Sequence, residues 1–194
     1  LKFRSCRDNI AVATGAMEVR GGNGLIEEWV NPKLVRDSLI GVLWEGTSNI
    51  NALDVTTRAI AKVGAHVQMA DSMHELLAET KGLPGQFKGE LDSTIDRAVA
   101  FAEKVAMTGN EPMARKASDA LYRMVTAVLM ATEGARLGEM GEDASRMILA
   151  RMVMDHRLRA GDPFAIEDDN DAAVAALLGD EKVDLATAQA LAAA

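Results

Sequence analysis

Apolar and polar positions alternate with helical periods along almost the whole chain. From the N-terminus to about Arg20, Ile10, Ala13, Ala16 and Met17 recur at the steps of one helix face. Gly21-Gly22-Asn23-Gly24 stops that pattern, glycine being the usual residue just past a helix end. Asn31-Pro32 reads as a cap followed by proline at the first helical position, opening a short helix through Leu34, Val35, Ser38 and Leu39 that ends at Gly41. A third helix starts at Thr47 or Ser48, with Ile50, Leu53, Thr57 and Ile60 on its buried side. It continues past a bend near Gly64 through Val67, Met73 and Leu77. Lys81-Gly82-Leu83-Pro84-Gly85 is the strongest break in the chain and marks the expected domain boundary.

Beyond the break, Leu91, Ile95, Ala98, Ala102 and Val105 follow the alternating four and three spacing of bundle helices. Gly109-Asn110-Glu111-Pro112 ends that helix, and Leu121, Met124, Val125, Val128, Leu129 and Thr132 mark the next, up to about Gly138. Another runs from Ala144 to Arg159, carries Ile148, Met152 and Asp155, and stops at Gly161-Asp162-Pro163. The rest reads as one or two short helices or a tail. No segment reads as a strand and no internal repeat is evident. The expectation is an all-α chain of helical bundles: 1–80 as a first domain, 86–160 as a second helical domain, and 161–194 as an acidic, Ala-rich end.

Composition agrees. Hydrophobic residues make up 48% of the 194, enough for one domain or two small ones with a real core. Seven aromatics against eleven Met and many Ala suit packed amphipathic helices rather than a sheet. The net charge of −8 is concentrated at one end. Residues 161–194 hold one Lys and eight Asp/Glu, whereas residues 1–60 hold seven Lys/Arg and seven Asp/Glu. Without a basic stripe to neutralise a phosphate backbone, nucleic acid is not an expected partner. The single cysteine, Cys6, excludes an internal disulfide and a thiolate zinc cluster, and suits a reducing compartment. No apolar run approaches the roughly 18 residues of a membrane span, and no signal-peptide pattern is present. The sequence opens at Leu1 already inside an amphipathic pattern, which reads as a piece of a longer chain.

Candidate chemistry is sparse. His74-Glu75 resembles the start of a zinc-protease helix, but Ala78 stands where the second His is needed. Asp71 and His74 make one imperfect half of a di-iron motif that nothing completes. "EDDND", ending at Asp171, alternates acids like a calcium loop without the required glycine. No metal site is expected, and the three histidines read as surface or boundary residues. Gly21–Gly24 follows a helix and lacks the spacing of a dinucleotide fingerprint, so by itself it reads as a helix stop and turn. Glu45 stands between Trp44 and Gly46, beside the apolar run Gly41-Val42-Leu43-Trp44. A carboxylate near a helix start interacts well with the macrodipole. Alternatively, the apolar run limits water and raises the carboxyl pKa toward that of a working base, while Gly46 keeps one side clear for a substrate.

Taken together, "AMEVRGGNGLIEEWVNPKLVRDSLIGVLWEGTSNINALDVTTRAI" resembles the C-terminal helical domain of the acyl-CoA dehydrogenase flavoproteins. Four features agree in order and spacing: the Gly-Gly-Asn-Gly turn, Glu27-Glu28, Arg36-Asp37 and Trp44-Glu45-Gly46-Thr47-Ser48. The resemblance covers about the first 60 residues. It implies that Glu45 is the base removing the α-proton of an acyl-CoA thioester while a hydride leaves the β-carbon for flavin. The amide of Glu45 would also donate to the thioester oxygen. Trp44, Glu45 and Gly46 would line the substrate, and Gly46, Thr47, Ser48 and Asn49 would lie along FAD. Glu18, Val19, Arg20, Gly21 and Gly22 would contact the adenosine end of FAD from a neighbouring subunit, implying a homodimer or homotetramer. Electron-transfer flavoprotein is the implied electron acceptor. The bacterial cytoplasm is the implied location, with the mitochondrial matrix as the other. Arg36 and Asp37 read as a structural ion pair.

The departures are specific. Many members of the family have Gln where Glu18 and Asn49 stand, and Tyr is frequent in place of Trp44 in the short- and medium-chain enzymes. The "LKFRSC" opening, the "WEG…NI…LDV" run and the extra helices after Pro84 lean toward the branch that includes the bacterial alkylation-response flavoprotein. That protein uses a basic C-terminal region on DNA; here the region is acidic, so that role does not carry over. The expected function is therefore that of a C-terminal fragment of an FAD-dependent acyl-CoA dehydrogenase, inactive alone. An alkylation-response-type flavoprotein with little dehydrogenase activity and a structural helical assembly module are the alternatives.

Overall fold

A computed structural model of the chain describes residues 2–44, 46–161 and 171–193. Among them there is no strand, and the fold is all-α. In chain order the helices are α1 (Lys2–Val19), α2 (Asn31–Trp44), α3 (Ser48–Asp54), α4 (Ala65–Glu79), α5 (Gly85–Met107), α6 (Ala114–Glu139), α7 (Ser145–Val153), α8 (Asp171–Leu178) and α9 (Leu185–Ala193). A 3-10 turn, Gly21–Leu25, follows α1, and another, Glu111–Met113, precedes α6. α3 and α7 each run on into a π-helical turn, Val55–Ile60 and Met154–Leu158 respectively. No helix among the described residues is long and apolar enough to cross a membrane.

The chain divides into two compact units, Leu1–Val63 with Ala102–Asp119, and Gly64–Phe101 with Ala120–Ala194. The Lys81–Gly85 stretch is a turn between α4 and α5 inside the second unit, with Gly82 in the left-handed region at φ +73°. Packing thus separates the chain next to Gly64, whose own φ of +70° ends the preceding helical segment.

In the first unit, α1 packs along α2 and against α3. Its buried apolar side chains are few and mostly small: Phe3, Ala52, Ile60, Ala102, Val105 and Ala114 among them. The sequence pattern misplaced two features here. α2 does not end at Gly41 but continues to Trp44. Gly41 is a contact glycine: a Cβ there would lie 3.2 Å from Cys6 Sγ, so the glycine lets α1 approach α2. The buried face of α3 is Ala52, Thr56 and Ile60, whereas Ile50 is 61% exposed and Thr57 is exposed. Two successive steps of four drift around an ordinary α-helix, but they stay aligned on the wider π-helical turn that carries Thr56 and Ile60.

The second unit has the larger core. Leu77, Phe87, Leu91, Ile95, Met124, Val128, Met147 and Ile148 are its largest fully buried side chains. The stripe expected on α5 is buried throughout, from Leu91 to Val105, the last two positions falling in the first unit. Alanines at 127, 131 and 135 extend the buried face of α6, while Leu129 stays exposed. α7 packs against α8 and α9. The C-terminal turn of α9 is held by Arg151, whose side chain is 6% exposed and whose Nε and Nη2 donate to the Ala192 carbonyl at 2.9 and 2.7 Å. Its Nη1 donates to Glu90 Oε2 at 2.7 Å and its guanidinium lies 4.5 Å from the Phe87 ring centroid. A cation on the last free carbonyls of a helix satisfies them and meets the negative end of the dipole.

One histidine departs from the expected surface setting: His66 is 5% exposed in the first turn of α4. His74 is half-buried, with Nδ1 2.7 Å from Asp92 Oδ1 and Nε2 3.2 Å from Asp96 Oδ1. Most of "EDDND" lies outside the described residues; its last member, Asp171, begins α8.

Candidate functional site

The segment after α2 is shaped by a glycine and an amide. Gly46 has φ +91°, a conformation in which a side chain is strained, and its carbonyl accepts from Asn51 Nδ2 at 2.7 Å. A Cβ on Gly46 would meet that same amide, 3.3 Å from Asn51 Oδ1. Thr47 is extended (φ −61°, ψ 159°), and its carbonyl accepts the Asn51 N–H at 3.0 Å, opening α3. Neither the Thr47 nor the Ser48 hydroxyl caps the helix. Thr47 makes no side-chain cap bond, and Ser48 Oγ instead accepts from Arg7 Nη1 at 2.9 Å. Asn51 was not singled out in the sequence. Its signal was an amide five residues after a glycine, in "GTSNIN".

Thr47, Ser48 and Asn49 open onto one shallow pocket of about 270 Å³, whose other walls are Arg7, Val42 and Arg115. All six residues belong to the first unit. Trp44, Gly46 and Glu18–Gly22 do not line it. Glu45 lies outside the described residues. Its neighbours Leu43 and Trp44 are 68% and 75% exposed, so the water-poor setting expected from that apolar run is not built by the described residues of this chain.

The glycine turn is equally well defined. Glu18 and Val19 end α1 fully on the surface, and Arg20 stacks over the Trp29 ring at 5.4 Å. Gly21 adopts φ +57°, while Gly24 is buried where a Cβ would lie 2.2 Å from the Met17 carbonyl oxygen. Gly22 has open space around it. The conformational need therefore falls on Gly21 and the steric need on Gly24.

Arg36 does not pair with Asp37. Adjacent helical residues point apart, and Arg36 instead forms a bidentate pair with Glu27, at 2.8 and 3.1 Å. The hydrogen bond from Arg36 holds the Glu27 carboxyl below its ordinary pKa. The pair ties the loop before α2 to the middle of α2.

The donor set of the pocket suits a phosphate-bearing cofactor such as FAD. Among the described residues it offers two guanidiniums, two hydroxyls and an amide, with Val42 as an apolar wall and no carboxylate.

Comparison with known proteins agrees with the segment so defined. Residues 1–60 match the family described as acyl-CoA dehydrogenase, C-terminal domain. The chain is 31% identical over 121 residues to AidB of Escherichia coli (strain K12), a provisional acyl-CoA dehydrogenase; the match spans 62% of this chain and 20% of AidB. It is 30% identical over 81 residues to acyl-CoA dehydrogenase family member 11 of Caenorhabditis elegans, spanning 42% of this chain and 13% of that protein. The aligned part is thus a fifth or less of either relative's length. No solved structure matches the chain. The glycine turn, the Arg36-bearing helix and the Gly46–Asn49 segment all fall within the matched residues, and residues 1–60 accordingly belong to the C-terminal domain of the acyl-CoA dehydrogenase family.

Proposed function

We propose that the chain is the C-terminal part of an FAD-dependent acyl-CoA dehydrogenase that removes hydrogen from the α and β carbons of an acyl-CoA thioester. The observation that carries this reading is the family match over residues 1–60, with Gly46–Asn49 held by Asn51 beside a pocket of phosphate-binding chemistry. Thr47, Ser48 and Asn49 would hold FAD, and Glu18 to Gly22 would meet the FAD of a neighbouring subunit in a homodimer or homotetramer. FAD, when bound, supplies the two-electron oxidant for the Cα–Cβ bond.

The chain's own part is proton chemistry and exclusion of water. Glu45 takes the α-proton through its carboxylate, while its amide N–H donates to the thioester oxygen and so acidifies that proton. A carboxylate strong enough for this must be desolvated. Because Leu43 and Trp44 are exposed, that desolvation has to come from substrate, cofactor or other polypeptide closing over the end of α2. Electron-transfer flavoprotein, in the bacterial cytoplasm, would be the electron acceptor.

The test is flavin reduction by a panel of acyl-CoAs in the full-length protein that contains these residues. Bleaching of the oxidised flavin band is expected in the wild type, and Glu45→Gln should abolish it while FAD stays bound. Undiminished reduction in the variant removes Glu45 from its role. The second reading is an alkylation-response-type flavoprotein, in which FAD binds but dehydrogenation is vestigial; the helices that follow the family segment favour it. No bleaching with any chain length supports that one. Purification without flavin, even when FAD is supplied, supports a structural helical module instead.

A further inference from the structure

The half-motif Asp71-x-x-His74, incomplete in the sequence, acquires neighbours in the second unit. His74 of α4 sets one ring nitrogen against each of two carboxylates of α5. Its Nδ1 is 2.7 Å from Asp92 Oδ1, and its Nε2 is 3.2 Å from Asp96 Oδ1. Asp92 and Asp96 are four residues apart, so they share a helix face and repel each other unless a cation lies between them. The other charges along α4 near the ring are acidic too: Asp71 stands one turn before it and Glu75 beside it. The cations of α5 lie elsewhere. Lys88 Nζ donates to the Ala78 and Thr80 carbonyls at the end of α4, at 3.2 and 3.4 Å. Arg97, adjacent to Asp96, points off the shared face. The contact matters because α4 has little else to hold it. Its buried residues are His66 and Leu77, and Val67 is exposed. Leu77 and the Lys88 bonds secure its C-terminal turn, which leaves the stretch before them to His66 and His74.

We propose that His74 is a proton-operated latch that fastens the middle of α4 to α5 and lets go of Asp96 when its ring becomes neutral. Charged, the ring has two N–H groups and holds both aspartates. Neutral, it has one N–H and one lone pair, and a lone pair facing a carboxylate repels it. The proton leaves Nε2, which has the longer contact, while Nδ1 keeps its hydrogen on Asp92. One bond then fastens the helices at this point instead of two. Partial burial disfavours the charged ring, but Asp92 and Asp96 outweigh it and raise the His74 pKa. The latch is therefore shut below the ordinary imidazole value of about 6.5 and opens at a pH above it.

Imidazole nitrogen NMR spectra of the 194-residue chain across the neutral pH range test the latch, with His74→Gln to assign the resonances. A midpoint above about 6.5 is expected, with the proton lost from Nε2 and retained on Nδ1. Backbone amides of α4 before Leu77, corrected for the intrinsic effect of pH on exchange, should lose protection about two- to fivefold across that midpoint. Asp96→Asn is the discriminating variant. Its amide accepts from a charged ring and donates to a neutral one, so the contact persists in both states and the pH-dependent loss should vanish. Glu79→Gln removes a carboxylate from an exposed position on the same helix, more than one turn from the ring, and should leave both readouts as in the wild type. A neutral ring that keeps its hydrogen on Nε2 overturns the proposal. So does α4 protection that is unchanged across the midpoint, or a wild-type response in Asp96→Asn. Neither readout uses flavin or substrate, so the latch stands or falls apart from the reading of residues 1–60.

Discussion

A single missing carbon decides how close two segments come at several positions. At Gly134 of α6, a Cβ would stand 2.4 Å from the Met147 backbone nitrogen, so α6 and α7 meet only because no side chain intervenes. Gly134→Ala should cost about 1–3 kcal/mol, the usual penalty of overpacking against atoms that cannot move aside. Gly89 in α5 has nothing within 4 Å of the same imagined carbon, and Gly89→Ala should stabilise by about 0.5–1 kcal/mol through helix propensity. Urea midpoints of the two variants should therefore move in opposite directions; a shift of the same sign would contradict the packing described. Individual residues were also the hardest scale to read from sequence. The glycine turn was legible because glycine has few uses just after a helix. The partner of Arg36 was not, because adjacency in the chain says nothing about which carboxylate folds back to meet it. The exposure of Trp44 was misjudged for a related reason: an apolar run shows what would be buried in some assembly, without naming what does the burying.

Helices were the most legible elements. The stripe from Leu91 to Val105 is buried as its spacing required, and the break at Gly109 falls at a helix end. Where extrapolation failed, on α3, the helix widens into a π-turn and the face carried forward from Ile50 no longer applies. Contacts between elements are set by side chains that periodicity cannot rank. His74 on α4 is one. A neutral imidazole has one N–H, so carboxylates at both ring nitrogens favour the doubly protonated ring. Partial burial opposes that charge, but Asp92 and Asp96 outweigh it, and the His74 pKa is raised. The stabilisation is thus fully present below the unfolded imidazole pKa of about 6.5 and is lost as pH rises through the higher folded value. Because the carboxylates are largely exposed, it is worth no more than about 1 kcal/mol. Melting temperatures of the wild type and His74→Gln should differ most near pH 6 and converge toward pH 9; a gap independent of pH would rule out the charged latch. Arg151 is the other. Arg151→Met would leave the Ala192 carbonyl unmet and Glu90 with only Arg159 and Gln86, at a cost of about 3 kcal/mol. Amide exchange should accelerate first in α9, and unchanged protection there would show that the arginine does not anchor it.

At the scale of the molecule, the two units differ in how much of their apolar material they use. The second buries Phe87, Leu91, Ile95, Met124 and Met147, and has the larger core. The first leaves Leu25, Val30, Ile40, Leu43, Trp44 and Ile50 outside. The all-α class was legible in the scarcity of aromatics and the persistence of helical spacing. The division beside Gly64 was not, because a proline- and glycine-rich turn looks more like a boundary than a single left-handed glycine does. Large exposed apolar surfaces ordinarily belong to an interface. That has a thermal consequence. Attraction between apolar surfaces near room temperature is driven by entropy and weakens on cooling. The isolated chain should therefore sediment as its smallest species in the cold and grow on gentle warming, well below its unfolding temperature. Leu43→Ser combined with Trp44→Ser should flatten that trend. For anyone handling this protein, a chilled rotor and a warm one would not be weighing the same particle.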